Sequence, residues 1–211
     1  MQIIPTILDK DFSQAQYKIK LIKDMSQWIQ IDVIDGIYSE GRSFQLELLT
    51  KINFDTNKTL WETHLMVKEP QKWIEKNIFA GASRIIGQVE MMDDLNEFVK
   101  EIKDSGVEAG LGFDIETKIE NIPEDTDVVL LMARKAGFEP QDFDNKVIDK
   151  IEDLSNLRQK EGLKFLIGVD GGVNLDNLEL IKKAGADIAY CGGAVFNGNV
   201  EMNWEQLTNA K

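Results

Sequence analysis

Eight short apolar runs that alternate with longer amphipathic segments predict an α/β protein, specifically a (β/α)8 TIM barrel. The runs are almost continuously apolar and rich in Val and Ile, which is typical of parallel strands buried on both faces. The 211 residues also match the length of one such barrel, about 200 to 250 residues. We therefore expect a single barrel domain over residues 1–211, with an open α/β sheet as the structural alternative.

The elements follow from the period of the apolar residues. Strands are predicted, in chain order, over residues 3–8, 28–34, 60–67, 84–89, 108–113, 127–132, 164–169 and 188–191. Helices are predicted over residues 12–25, 69–80, 92–105, 143–161 and 174–184. Four of these helices are followed at once by glycine, the residue that enters the left-handed conformation at a helix end without steric cost.

The charge balance excludes several classes of protein. The chain has 24 Lys and Arg against 37 Asp and Glu, a net charge of −13, and such a chain repels nucleic-acid phosphates and anionic lipid. No apolar run approaches the roughly 18 residues that span a bilayer, and residues 1–5 lack the features of a signal peptide. The single Cys191 fits a reducing compartment. We expect a cytoplasmic protein that binds neither nucleic acid nor membrane.

Polar side chains interrupt the apolar strands near their C-terminal ends, where barrel enzymes place their chemistry. Gln30 and Asp32 share one face of strand two, His64 lies in strand three, and Asp170 ends the apolar run of strand seven. Each alone has a structural explanation, such as a satisfied core histidine or an Asp bonded to a loop backbone, which we favour for Asp35. Four such residues converging on one barrel mouth indicate a functional site.

Two glycine pairs follow the last two strands. Gly171 and Gly172 come after strand seven, and Gly192 and Gly193 come after strand eight. In these barrels the two loops commonly bind phosphate, because backbone N–H groups face the anion and glycine permits close approach. Ordinary turn chemistry explains a lone pair, whereas two pairs in these two loops favour a phosphate site.

These segments resemble the ribulose-phosphate 3-epimerase family over nearly the whole chain. The matching motifs include IPTIL at 4–8, IDVIDG at 31–36, HLMV at 64–67, VDGGVN at 169–174 and GGAVF at 192–196, with shorter matches at 80–82, 131–132, 137–138, 141 and 184–187. Their co-occurrence in order and spacing is specific. The resemblance implies a barrel of the ribulose-phosphate-binding type.

The resemblance also implies the reaction, a metal-assisted proton transfer at C3 that converts D-ribulose 5-phosphate to D-xylulose 5-phosphate or a close analogue. Asp32 and Asp170 would exchange protons with opposite faces of this phosphorylated ketose. A divalent metal (Mg²⁺, Mn²⁺, Zn²⁺ or Fe²⁺) would be held at Gln30, Asp32, His64 and Asp170 and would polarise the C2 carbonyl. Family members are often oligomers, so a homo-oligomer is implied as well.

The resemblance assigns further residues to the substrate. A hydroxyl at Thr6 stands where the family has Ser, and two methionines would pack around the intermediate and exclude water. Glycines of the last three loops would hold the phosphate. The implied substrate- and phosphate-binding set is Thr6, Met66, Met132, Gly137, Gly171, Gly172, Gly192 and Gly193.

The chain departs from the family pattern at several positions that bear on the chemistry. Gln30 and Gln88 replace family histidines, and Gly193 replaces a Ser. An amide oxygen in place of imidazole favours Mg²⁺ or Mn²⁺ over Zn²⁺, or leaves the metal weakly bound or absent. The loop after strand six carries Arg134 and Lys135, which either face water, as charge runs commonly do, or offset the negative field at the mouth.

We therefore expect an isomerase that epimerises a ketose phosphate. The alternative is a catalytically weakened paralogue that binds a sugar phosphate without efficient turnover, which the lost imidazole and the changed loop favour. A decarboxylase of related fold would need an Asp-x-Lys-x-x-Asp motif, whereas residues 32–35 read DVID. A Schiff-base aldolase would need a strand-end Lys, and Lys164 lies at the wrong end of strand seven.

Overall fold

The computed structural model describes residues 1–52, 54, 58–137 and 142–210, and these contain eight strands, seven α-helices and three short 3-10 turns. The strands are β1 (Gln2–Ile7), β2 (Trp28–Ile34), β3 (Leu60–Met66), β4 (Arg84–Gln88), β5 (Glu108–Phe113), β6 (Val128–Met132), β7 (Leu166–Asp170) and β8 (Ile188–Cys191). The α-helices are α1 (Phe12–Ile22), α2 (Ile74–Ala80), α3 (Leu95–Asp104), α4 (Lys146–Glu161), α5 (Leu175–Ala184), α6 (Gly193–Phe196) and α7 (Val200–Ala210). Short 3-10 turns occupy Leu46–Lys51, Pro70–Trp73 and Val89–Met91.

The strands form a closed barrel in which each pairs in parallel with the next and β8 pairs with β1. The predicted TIM barrel is therefore confirmed, and the open-sheet alternative is wrong. Every predicted strand is present with ends that differ by at most two residues. The strand prediction succeeds because strands buried on both faces carry an almost uninterrupted apolar signal.

The helices differ more from the prediction, mainly at their first turns. Asp94 and Asn174 fall inside predicted helices, but each is an N-cap whose side chain accepts a backbone N–H of the first turn. Helices α6 and α7 were not predicted, because α6 is a four-residue turn that opens on Gly193 and α7 buries little apolar surface, with Leu207 as its buried side chain. No helix among the described residues is long and apolar enough to cross a membrane.

Alternation along β2 separates the outer layer of the core from the barrel interior. Ile31 and Val33 pack in the outer layer, between the sheet and the helices, whereas Trp28 and Ile34 belong to the inner cluster. The predicted two-face arrangement of this strand is thus correct, and it turns Asp32 toward the interior.

The N-terminal end of the interior holds two ion pairs of the buried Arg84, one with the buried Glu62 and one with the partly exposed Glu108. Arg84 donates from Nη1 to Glu62 Oε2 at 2.5 Å and from Nε to Glu108 Oε2 at 2.8 Å. Its guanidinium lies over the ring of Trp28, 4.1 Å from the centroid. Burial raises the pKa of Glu62, although the charge of Arg84 acts in the opposite direction. We call these four residues the base cluster.

Candidate active site

Polar side chains meet at the opposite, C-terminal end of the barrel interior. Gln30 and Asp32 of β2, His64 of β3 and Asp170 of β7 are each at most 7% exposed. Strand register brings them together, because Asp32 stands beside His64 and Thr6 of β1 stands beside Gln30. We call these five residues the mouth cluster. The structure thus places the four residues of the predicted metal set side by side.

The amide nitrogen of Gln30 links the members of the mouth cluster. It donates to Asp170 Oδ2 at 3.0 Å, to Thr6 Oγ1 at 3.1 Å and to Asp32 Oδ1 at 3.3 Å. The Thr6 hydroxyl in turn donates to Asp32 Oδ2 at 3.0 Å. The amide oxygen of Gln30 is buried and has no hydrogen-bond partner within the described chain. One neutral group therefore bridges carboxylates from two strands that are not neighbours.

The imidazole of His64 is held on both sides. Its Nδ1 lies 3.2 Å from Asp32 Oδ1. Gln88 donates from its amide nitrogen to Glu90 Oε2 at 3.0 Å and to the Gly112 carbonyl at 2.7 Å, so that its oxygen accepts from His64 Nε2 at 3.1 Å. Nε2 therefore carries a proton in this bond. Nδ1 faces the carboxylates, since it also lies 3.9 Å from Asp170 Oδ2.

Burial and the crowding of charge alter the protonation of the site. Burial, followed by the negative charge of Asp32, raises the pKa of Asp170 to about 7, while the charges of His64 and Arg134 act in the opposite direction. Burial acts to lower the pKa of His64, but the hydrogen bond and the charge of Asp32 outweigh it and raise that pKa. Asp170 therefore keeps its proton to a higher pH than an ordinary carboxyl group does.

Asp32, His64 and Asp170 could hold a metal ion. Each offers one ligand atom, and the three atoms lie within 4.8 Å of one another in a buried position. Two carboxylate oxygens and an imidazole nitrogen suit a divalent metal. Gln30 faces this set with its amide nitrogen, which is a donor and not a ligand. Its unpartnered oxygen supplies a ligand atom if the amide turns over.

A cavity of ≈ 310 Å³ opens beside the mouth cluster. Asp32 and Asp170 line it together with Gly172, Gly192 and Gly193 of the two glycine loops. Gly172 has a φ of +74°, and a Cβ at this position would come within 3.0 Å of main-chain atoms, so that glycine is required there. The two predicted features, paired carboxylates and paired glycines, thus share one cavity.

The two methionines of the predicted set lie in the inner cluster of the barrel. Met66 is 2% exposed and Met132 is 4% exposed. Met66 ends β3, and Met132 pairs in register with Asp170. Both positions are consistent with an apolar wall next to the carboxylates.

Two predicted glycines, Gly137 in the loop after β6 and Gly171 in the loop after β7, have different neighbours in the structure. Gly137 lines a second cavity of ≈ 290 Å³ next to the loop after β2, and a Cβ on it would meet Ser39 Oγ. Gly171, with a φ of +105°, lies against Arg134. Residues 138–141, which include two matching positions of the family pattern, lie outside the described residues.

The sequence left two alternatives for Arg134 and Lys135, and the structure gives the two residues different surroundings. Arg134 is half-buried and lines the same cavity as Asp170, whereas Lys135 is exposed and lines the second cavity. Asn197 also lines the first cavity. Sequence reasoning missed Asn197 because it follows α6, a helix too short to be predicted.

The carboxylate of Asp35 fixes the loop after β2, which is the structural role that the sequence analysis favoured for this residue. Asp35 accepts backbone N–H groups, including those of Tyr38 at 3.2 Å and Lys68 at 2.8 Å. The Tyr38 hydroxyl then reaches Asp114 Oδ2 at 3.2 Å and Glu90 Oε2 at 3.3 Å at the rim. Asp35 thus holds the rim in place and stands outside the mouth cluster, as predicted.

The sequence of this chain is similar to the sequences of known proteins. The model of the ribulose-phosphate 3 epimerase family matches residues 2–196. Ribulose-phosphate 3-epimerase of Chlamydia pneumoniae is 34% identical over 201 residues, which cover 92% of this chain and 87% of the relative. The protein of the same name from Bacillus subtilis (strain 168) is 33% identical, covering 93% and 92%.

Solved structures support the fold alone. 3-Hexulose-6-phosphate synthase from Salmonella typhimurium superposes with a TM-score of 0.71 at 13% identity, covering 100% of this chain and 98% of the other. At that identity the likeness extends to the barrel and not to the chemistry of its mouth.

Proposed function

This chain belongs to the ribulose-phosphate 3-epimerase family, and on that premise we propose that it interconverts D-ribulose 5-phosphate and D-xylulose 5-phosphate or a close analogue. It is thus an enzyme of the isomerase class. The observation that carries the proposal is the approach of Asp32 and Asp170 to one donor, the amide nitrogen of Gln30, at 3.3 and 3.0 Å. Two buried carboxylates beside one cavity are suited to exchange protons with both faces of a bound carbon.

In the proposed reaction the Asp32 carboxylate removes the C3 proton, and the electron pair of the C3–H bond passes into the C2–C3 ene-diolate. Asp170 then returns a proton to the opposite face of C3. Its pKa of about 7 supports this role, because a group with a pKa near the working pH both gives and takes protons readily. Thr6 orients the Asp32 carboxylate through its hydroxyl.

We propose that Asp32, His64 and Asp170 hold a divalent metal, with the Gln30 oxygen as a further ligand. When bound, the metal would supply Lewis-acid polarisation of the C2 carbonyl and stabilise the ene-diolate. The buried donor set and the unpartnered Gln30 oxygen support this assignment. Gln88 holds the imidazole so that Nδ1 faces the carboxylates, which is the usual contribution of a residue behind a metal ligand.

We further propose that the substrate phosphate binds in the ≈ 310 Å³ cavity against the backbone of the loops after β7 and β8. Gly172, Gly192 and Gly193 allow the anion to approach the main chain. Met66 and Met132 would keep water from the ene-diolate. A single domain, a homo-oligomer and a cytoplasmic location stay predictions of the sequence.

Proton NMR of D-ribulose 5-phosphate in D₂O tests the proposal. Chelator-treated protein is compared with protein loaded separately with Mg²⁺, Mn²⁺, Zn²⁺ or Fe²⁺, with product in the two paramagnetic samples read after the metal is removed. We expect the C3 proton signal to disappear and D-xylulose 5-phosphate to form. The absence of both changes under every metal condition would contradict the proposal.

A second candidate is a paralogue that binds a sugar phosphate without efficient turnover. One observation favours it, because the Gln30 amide nitrogen bonds both carboxylates and competes with a metal for them. Binding of D-ribulose 5-phosphate without loss of its C3 proton would establish this candidate.

A further inference from the structure

We propose that Arg134 binds the phosphate of the substrate and makes this chain selective for phosphorylated over unphosphorylated ketoses. The inference rests on the proposed function, since it assumes a sugar phosphate in the ≈ 310 Å³ cavity. Arg134 lines that cavity together with Asp170, Gly172 and Gly193. It therefore shares this cavity with the two carboxylates and with the glycine loops.

The position of Arg134 depends on a glycine of the next loop. A Cβ on Gly171 would stand 2.7 Å from Arg134 Cγ and 3.3 Å from Arg134 N. Because Gly171 has no side chain, the stem of Arg134 packs across the loop after β7. This contact half-buries the side chain and keeps it at the cavity wall instead of in bulk water.

The negative charge of the cavity explains why a cation is needed there to bind a phosphate. Asp32 and Asp170 line the cavity, and a phosphate brought beside them meets two carboxylates in a protein with a net charge of −13. Among the described lining residues, Arg134 carries the opposing positive charge. Backbone N–H groups are dipoles, so they cannot supply a full counter-charge.

The chemistry of the group fits a phosphate. A guanidinium presents planar, paired donors that match two phosphate oxygens, and such charge-assisted bonds are stronger than neutral ones. Asn197 lines the same cavity, and its Nδ2 lies 3.1 Å from where a Cβ on Gly193 would stand. A phosphate in this cavity would thus have both a charged donor and an amide donor among the lining side chains.

The test compares Arg134→Met and Arg134→Lys with a matched control, Lys135→Met. The control removes the same charge from the next residue, whose exposed side chain lines the second cavity. Epimerisation of D-ribulose 5-phosphate and C3 exchange of unphosphorylated D-ribulose are both measured. We expect Arg134→Met to raise KM for the phosphate ester about 10- to 100-fold and to reduce the preference for the ester over D-ribulose, expressed as the ratio of the two kcat/KM values. Arg134→Lys should fall between wild type and Arg134→Met, because it keeps the charge but loses the paired donors.

Binding of inorganic phosphate, followed by calorimetry, separates this inference from the proposed function. Weaker phosphate binding in Arg134→Met than in Lys135→Met supports the inference even if the wild type does not epimerise the substrate. Equal phosphate affinity in wild type and Arg134→Met overturns it even if the wild type is an active epimerase. Equal losses in Arg134→Met and Lys135→Met also overturn it, because they would reflect a general field and not a contact.

Discussion

The barrel interior holds two buried polar clusters that are built in opposite ways. In the base cluster, Arg84 lies between Glu62 and Glu108, so the buried charges have partners of opposite sign. In the mouth cluster, Asp32 and Asp170 share a neutral amide and a histidine. The base cluster thus has a permanent cation for its two carboxylates, whereas the mouth cluster has a neutral amide and a titratable imidazole for its two.

The difference shows which cluster serves stability and which serves chemistry. Buried charges cost free energy unless they are paired. In the base cluster the guanidinium of Arg84 pairs with Glu62 and Glu108, although the second oxygen of Glu62 has no hydrogen-bond partner among the described residues. The mouth cluster has no such permanent cation among its five residues, the pKa of Asp170 is raised, and the Gln30 oxygen lacks a partner among the described residues. Such an arrangement becomes favourable when a metal or a substrate supplies the missing interactions, which is typical of functional sites.

The largest difference between the clusters should be in activity. We expect Asp32→Asn to lower the rate of epimerisation by about 10²- to 10⁴-fold, because it removes a group that transfers a proton. The free energy of unfolding should not fall, since the charge repulsion with Asp170 is relieved. Glu108→Gln at the base is the matched control and should retain activity. A comparable rate loss in both variants, measured in the same coupled assay, would remove the distinction.

The next largest effect should be on stability. Arg84→Met leaves the fully buried Glu62 without its cation, and we expect the free energy of unfolding in urea to fall by about 3 to 5 kcal/mol. The double variant Arg84→Met/Glu62→Gln should recover part of this loss, because no charge then remains buried. Unchanged urea stability of Arg84→Met would show that the base cluster is not structural.

Part of the pH dependence of stability should come from the mouth cluster. The pKa of Asp170 is raised from 3.8 to about 7, so the folded chain keeps a proton that the unfolded chain has lost. Its stabilising contribution is full below pH 3.8 and is lost as the pH rises to about 7, with a slope of at most about 1.4 kcal/mol per pH unit. Urea titrations of chelator-treated wild type and Asp170→Asn check this. Identical pH profiles of the two proteins would contradict it.

A smaller effect should follow from restoring an imidazole at position 30. We expect Gln30→His to tighten metal binding on the order of 10- to 100-fold and to shift the preference toward Zn²⁺ or Fe²⁺. Calorimetric titration with each metal measures this change. Gln16→His, at an exposed position of α1, serves as the control for adding a histidine elsewhere. Equal affinities of wild type and Gln30→His would place residue 30 outside the coordination shell.

The strands and the meeting of the mouth residues could be predicted from the sequence, whereas the base cluster could not. Asp32 and Asp170 stand out because a carboxylate near the end of an apolar strand has few structural explanations. Arg84 and Glu108 stand at the first positions of their strands, where a charge next to a loop looks ordinary. Their pairing depends on strand register, which one sequence does not give.

The hydrogen bonds within the mouth cluster could not be predicted from the sequence either. The sequence predicted Gln30 as an oxygen ligand, and the structure turns its nitrogen to the carboxylates. The choice between two ends of an amide depends on all its neighbours at once. The sequence left the position of Arg134 open for a similar reason, because its packing on Gly171 is a contact between two different loops.

The central claim is that Asp32 and Asp170 serve opposite faces of C3, and deuterium exchange in the two single variants tests it most directly. Asp32→Asn and Asp170→Asn are each incubated in D₂O with D-ribulose 5-phosphate and, separately, with D-xylulose 5-phosphate. We predict that neither variant epimerises efficiently, that one exchanges the C3 proton of only one epimer, and that the other variant exchanges only the opposite epimer. Exchange of the same epimer by both variants, or undiminished epimerisation by either, would contradict the account.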